Sequence, residues 1–132
     1  MSVVVDSSAL LAFLRNEEGA DVVQSLLSED VCLVHALNLC EVYYITRREL
    51  GEERAQQALQ VLDALEMVVS DDLHTDFWQQ AGRYKADWRR VSLADCLCLT
   101  LANRSQVELV TADHHEFDPI SEQGICPIRF IR

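Results

Sequence analysis

SVVVDSSALLAFLRN, residues 2–16, sets a run of valines against an aspartate and two serines, then resumes an apolar run through Leu14. Val3 to Val5 is a short β-branched stretch of the kind that forms a buried strand. Asp6 and Ser7 supply helix-start chemistry, and the residues after them form an apolar helix. The opening is therefore a strand feeding directly into a helix, with a carboxylate at the junction. The same grammar recurs along the chain. EEGADVVQSLLSED (17–30) reads as an amphipathic helix, VCLVH (31–35) as a buried strand, and LNLCEVYYITRREL (37–50) as a helix that Gly51 ends. EERAQQALQVLDAL (52–65) is helical, EMVVS (66–70) extended, and DLHTDFWQQAGRYKADW (72–88) and SLADCLCLTLANRS (92–105) are helical. ELVT (108–111) is a strand, and a last strand follows Pro127 in IRFI. Brief apolar strands alternating with helices predict an α/β fold with a mainly parallel central sheet covered on both faces.

With 132 residues and 49% hydrophobic content, the chain is long enough for one well-cored domain, taken as 1–132, and it shows no repeat or linker. No apolar run approaches the roughly 18 residues of a membrane span, and the N-terminus lacks a basic region followed by a long apolar stretch. The expectation is a cytoplasmic protein with no membrane partner. Five cysteines, four of them inside apolar segments, fit a reducing compartment. Cys96 and Cys98 lie two apart on a helix and face different ways, which excludes a shared soft-metal site. His114 and His115 read as solvated loop residues rather than ligands. The net charge of −11 disfavours broad attraction to nucleic acid and favours a basic partner or a strongly acidic pocket.

Most of the 22 acidic residues sit among other polar residues, but four close or interrupt apolar segments: Asp6, Glu41, Asp95 and Asp113. Each has a structural explanation. Asp6 can cap a helix, Glu41 stands three after Asn38 and Asp95 three after Ser92 in capping-box spacing, and Asp113 can shape a turn. Placement argues for more. Asp6 and Asp113 end buried strands, where open α/β sheets bind ligands, and Glu41 and Asp95 fall in the expected first turns of the two most apolar helices. Should all four converge, their repulsion requires cations or retained protons. An all-carboxylate set selects hard ions such as Mg²⁺ or Mn²⁺, and a pair of ions suits in-line phosphodiester displacement. On this reading Asp95 both caps its helix and holds metal.

The segments VVVDSSALLAFL, NLCEVYY, SLADCLCLTLA and VTADHHEF, taken together, resemble the PIN-domain ribonucleases, most closely the VapC-type toxins of toxin–antitoxin modules. Their order covers nearly the whole chain. The resemblance implies a three-layer α/β/α fold and a metal-binding, catalytic set at Asp6, Glu41, Asp95 and Asp113, with Ser7 and Thr111 as flanking hydroxyls. It implies Mg²⁺- or Mn²⁺-dependent endonucleolytic hydrolysis of RNA by a type II toxin. The partners expected are an RNA substrate, a cognate antitoxin protein and, for a homodimer, a second copy of the chain. The chain departs from expectation in its scarcity of lysine, Lys85 being the only one. Substrate grip then falls to arginines such as Arg47, Arg48, Arg83, Arg89 and Arg90. Two rivals are a catalytically idle PIN-like binding module and a phospho-acceptor receiver domain. The receiver needs an acidic pair after the first strand, and Ser7 and Ser8 follow Asp6 here.

Overall fold

A strand buried on both faces must be apolar at every position, and β1 (Ser2–Val5) meets that demand in the computed structural model, which describes residues 1–132. Val3, Val4 and Val5 are all buried, and their side chains alternate between two separate cores. Val3 and Val5 pack with Cys32, Val34 and Val110, and Val4 packs with Leu109. The first core is roofed by α1 (Ser7–Leu14), α2 (Ala20–Glu29), α3 (Ala36–Leu50) and α4 (Glu52–Ala64). The second is roofed by α5 (Thr75–Asp87), α6 (Leu93–Ser105) and α7 (His114–Ser121). Two helical layers thus enclose one sheet, the α/β/α arrangement expected.

The sheet contains β1, β2 (Val31–His35), β3 (Val68–Ser70), β4 (Glu108–Thr111) and β5 (Ile128–Phe130). All pairings are parallel, in the order β3-β2-β1-β4-β5. From β1 the chain first builds outward through β2 and β3, then crosses to add β4 and β5 on the other side. The order therefore reverses between β1 and β4. Helices that leave the C-terminal ends of those two strands diverge and open a crevice, which is where such sheets bind ligands.

Elements match the sequence reading closely, with one addition. Helix α7 covers a stretch read as loop, because Pro119 lies inside it and its apolar side is short. Phe117 and Ile120, both buried, dock it on the second core. Helix α3 begins earlier than its sequence suggests. His35 is its N-cap, Nδ1 accepting the Leu37 N–H at 3.1 Å while Nε2 meets the Asp72 carbonyl at 3.0 Å. Asn38 is consequently inside the helix and not its cap, and Glu41 belongs to the second turn.

Beyond β5 the chain is tied back to the sheet by Ile131 N–H to the Thr111 carbonyl at 3.0 Å. It also crowds Gly19, the N-cap of α2, whose φ is +92°. A Cβ there would lie 2.7 Å from the Ile131 carbonyl oxygen and 2.8 Å from its Cγ1. Gly51 shares the positive φ, at +91°, but has open space around it. Gly19→Ala should therefore lower unfolding stability by about 2 kcal/mol or more, combining left-handed strain with a backbone clash, and Gly51→Ala by about 1 kcal/mol. Urea unfolding of both variants tests the ordering, and equal losses would show that the Ile131 contact yields freely.

Candidate functional site

Asp6 is where β1 becomes α1. It is 1% exposed and serves as the N-cap of α1, Oδ1 accepting the Ala9 N–H at 2.9 Å and the Ser8 hydroxyl at 2.8 Å. Its Oδ2 accepts the hydroxyl of Thr111 from the neighbouring strand. Ser8 Oγ in turn accepts the Ala112 N–H at 2.9 Å, and Thr111 Oγ1 accepts the Asp113 N–H at 3.0 Å. The ends of β1 and β4 are thereby laced together around one carboxylate. Burial pushes the Asp6 carboxyl up to about 6, aided by the nearby Asp113 charge and opposed by the Thr111, Ala9 and Ser8 hydrogen bonds.

Asp95 stands three residues into α6. Ser92 is the N-cap there, its Oγ accepting the Asp95 N–H at 3.2 Å, so Asp95 does not cap the helix as the sequence reading held. Its carboxylate makes no return bond to the Ser92 N–H and sits in the crevice, 6% exposed. Asp113 is the N-cap of α7 and accepts the Glu116 N–H at 3.0 Å. That turn swings the Glu116 side chain toward Asp95. Carboxylate oxygens of Asp95, Asp113 and Glu116 all lie within 4.8 Å of one another. Burial pushes the Asp95 carboxyl up to about 11, reinforced by a hydrogen bond to Glu116 and by the charges of Asp6, Glu116 and Glu41. Asp95 is thereby held toward its neutral form.

The four acids singled out from sequence do not occupy equal places. Asp6, Asp95 and Asp113 surround the crevice, whereas Glu41, from the second turn of α3, is half-buried and accepts the Tyr44 hydroxyl at 3.3 Å. Its charge reaches Asp95 but its oxygens are outside the tight cluster. Glu116 was missed. Its spacing from Asp113 is that of a capping box, which hides a ligand behind a structural role. Of the two hydroxyls expected to flank the site, Thr111 does so, and Ser8 takes the place expected of Ser7. Ser7 is buried and points the other way, its hydroxyl shared between the Asn38 carbonyl at 3.1 Å and Oδ1 at 2.9 Å. Asn38 also donates to the Ala94 carbonyl at 3.3 Å, so one buried amide links the starts of α1 and α6. His114 is bound at both ring nitrogens, by Asp118 at 2.8 Å and the Arg132 carbonyl at 2.7 Å, and stacks on Phe130.

The donors suit a hard divalent cation: they are all oxygens, close enough to share an ion, and Glu116 Oε2 is buried with no hydrogen-bond partner. A cation would satisfy that oxygen and replace the proton on Asp95. The chain's largest cavity, about 580 Å³, is elsewhere, an apolar groove between α3, α4 and β3 lined by Leu39, Leu59, Leu62, Met67 and Val69.

Raised carboxyls set the sign of the pH dependence. Unfolded, both aspartates titrate near about 4, so the folded metal-free protein holds more protons above that pH. Its stability should fall as pH rises from about 5 to 8, through the Asp6 value of about 6 and below the Asp95 value of about 11. Asp95→Asn mimics the protonated acid and should be more stable than the parent at pH 7 in EDTA by on the order of 2 kcal/mol, with the gap closing toward pH 5. Millimolar Mn²⁺ should raise the parent's melting temperature and leave the variant's nearly unchanged. An Asp95→Asn protein less stable than the parent in EDTA would contradict the repulsion argument.

Comparison with known proteins follows the same lines. The PIN domain model matches residues 3–122. No curated protein matches the chain in sequence. Among solved structures, VapBC2 from Rickettsia felis, bound to a DNA fragment from its promoter, superposes with a TM-score of 0.73 at 16% identity, covering 98% of both chains. VapC20 of Mycobacterium tuberculosis, described as a sarcin–ricin-loop-cleaving toxin, gives 0.72 at 16% identity over 89% of this chain and 94% of that one. VapBC-1 from nontypeable Haemophilus influenzae gives 0.72 at 15% identity, covering 99% and 98%. At such identities these likenesses speak for the fold, and the match across residues 3–122 carries the conclusion that the chain belongs to the PIN-domain family.

Proposed function

We propose that the chain is a divalent-metal-dependent endoribonuclease, the toxin of a type II toxin–antitoxin module acting in the cytoplasm. The observation that carries this reading is the convergence of Asp95, Asp113 and Glu116 within 4.8 Å beside the buried Asp6, at the sheet's switch point in a PIN-domain chain. Asp6, Asp95, Asp113 and Glu116, with Glu41 at the rim, would hold Mg²⁺ or Mn²⁺. Bound there, the ion supplies Lewis-acid polarisation of a phosphate and lowers the pKa of water. The remaining work belongs to the chain. Ser8 and Thr111 fix both oxygens of Asp6, the Ser92 cap sets the phase of α6 so that Asp95 enters the crevice, and the Asp113 cap delivers Glu116. Such outer hydrogen bonds hold ligands in place before an ion arrives.

An antitoxin partner is supported by two features. Structures of VapBC complexes share the fold, and the apolar groove between α3 and α4 carries Asp63 and Glu66 beside its leucines, which suits an amphipathic segment bearing basic residues. All five cysteines are free, in keeping with a reducing cytoplasm, and no helix is long and apolar enough to cross a membrane.

The test is cleavage of RNA by purified protein in Mn²⁺ or Mg²⁺, with 5′-end mapping. Asp6→Asn, Asp95→Asn, Asp113→Asn and Glu41→Gln should each reduce the rate at least about a hundredfold, and EDTA should abolish it. Glu116→Gln belongs to the same series and should behave likewise. Cleavage that survives all of these substitutions refutes the assignment. Co-expression with the neighbouring small reading frame should yield a co-purifying inhibitor that relieves growth arrest, and its absence refutes the toxin role alone.

A further inference from the structure

A chain of net charge −11 with an acidic crevice must still admit a polyanion. Of its eleven basic side chains, Arg15, Arg47, Arg104, Arg129 and Arg132 are engaged in ion pairs with carboxylates, and Arg48 lies over the Tyr44 ring. Arg54, Arg83, Arg89 and Arg90 have no acidic partner. Two of these four are consecutive, at the centre of the turn from Trp88 to Val91 that the Val91 N–H closes onto the Trp88 carbonyl at 3.1 Å. The turn is held from behind by Lys85, whose Nζ donates to the carbonyls of Arg89 at 2.8 Å and Val91 at 2.7 Å. The chain's single lysine is thus a brace for the backbone of the turn that carries two arginines without an acidic partner. Immediately after the turn comes Ser92, the cap of the helix that carries Asp95.

The turn also forms one wall of a cavity of about 290 Å³ lined by Asp87, Trp88, Arg89, Arg90, His115 and Glu116. Its volume is near the lower end of the range for small-molecule sites, roughly 300–1,000 Å³. Glu116 belongs to both this cavity and the carboxylate cluster, so the two are contiguous. A half-buried indole, two adjacent guanidiniums and an imidazole are the groups that recognise one nucleotide of a single strand: a flat face for the base and paired donors for the phosphate.

We propose that this cavity is the subsite for the nucleotide flanking the scissile bond in single-stranded RNA, with Arg89 and Arg90 on its phosphate and Trp88 against its base. The inference rests on the ribonuclease reading and assigns that activity its substrate grip. It accounts for how phosphate reaches an acidic site: two arginines without an acidic partner line the cavity that Glu116 also lines.

The test is steady-state cleavage of a short single-stranded RNA by the full chain in Mn²⁺, together with RNA binding read from Trp88 fluorescence in a Trp78→Phe background. Trp78 is half-exposed, which makes that exchange mild. Arg89→Gln/Arg90→Gln should raise KM about tenfold with kcat within about twofold, and should lower the slope of log(kcat/KM) against log salt by about one. Arg89→Lys/Arg90→Lys should recover part of the loss, and Trp88→Ala should raise KM by a similar about tenfold. RNA should quench Trp88 in the parent and much less in the Gln pair. Arg54→Gln, which removes a positive charge elsewhere, should leave KM unchanged. Cleavage by the parent with KM and salt slope unaltered in the Gln pair overturns the subsite while the ribonuclease stands, as does an equal effect from Arg54→Gln. Arginine-dependent binding with Trp88 quenching but no cleavage refutes the ribonuclease and with it the scissile-bond assignment, leaving only a nucleotide-binding cavity, and a parent that binds no RNA overturns both.

Discussion

Repulsion among buried carboxylates is the constraint around which the chain is arranged. Asp6, Asp95, Asp113 and Glu116 share one crevice, and Glu41 adds to the field from its rim. Like charges so placed oppose folding unless protons or cations intervene. The structure does not relax this conflict by letting the crevice open. It holds the acids in position instead, through a strand end laced by Ser8 and Thr111, two helix caps, and the Asn38 amide that joins α1 to α6. Stability is thereby ceded at a place where a bound cation would restore it.

The same arrangement accounts for the economy of positive charge. Five of the surface arginines elsewhere are occupied by nearby carboxylates, whereas both arginines of the Trp88–Val91 turn stay unpaired and Lys85 is turned inward onto carbonyls. Uniform basic decoration would neutralise the crevice from outside. Concentrating two cations on one braced turn keeps the acidic field intact on every other side.

Much of the fold could be read from residue order because its central strands are largely buried on both faces: Val3 to Val5, Cys32 to Val34 and Leu109 to Val110 admit few alternatives. The helix α7 was not legible, since Pro119 and a run of polar residues conceal a docking face made by Phe117 and Ile120 alone. Isolation among apolar neighbours marked Asp6, Asp95 and Asp113. It overstated the depth of Glu41, because α3 starts at Ala36 and rotates that residue toward the rim. Glu116 and Ser8 escaped for a different reason. Each makes sense locally, one as a capping partner and one as a helix-start serine, and their meeting with Asp95 and Ala112 depends on a strand pairing that spacing does not reveal.

That pairing has a consequence for timing. Asp6 is made well before its partner hydroxyl at Thr111, 105 positions later, and Asp113 and Glu116 follow still further on. Until β4 has emerged and slotted beside β1, the early aspartate faces an empty edge of sheet. A nascent chain, or one cut short before β4, has no crevice and no cluster. Any activity resident there therefore waits on the pairing of β1 with β4.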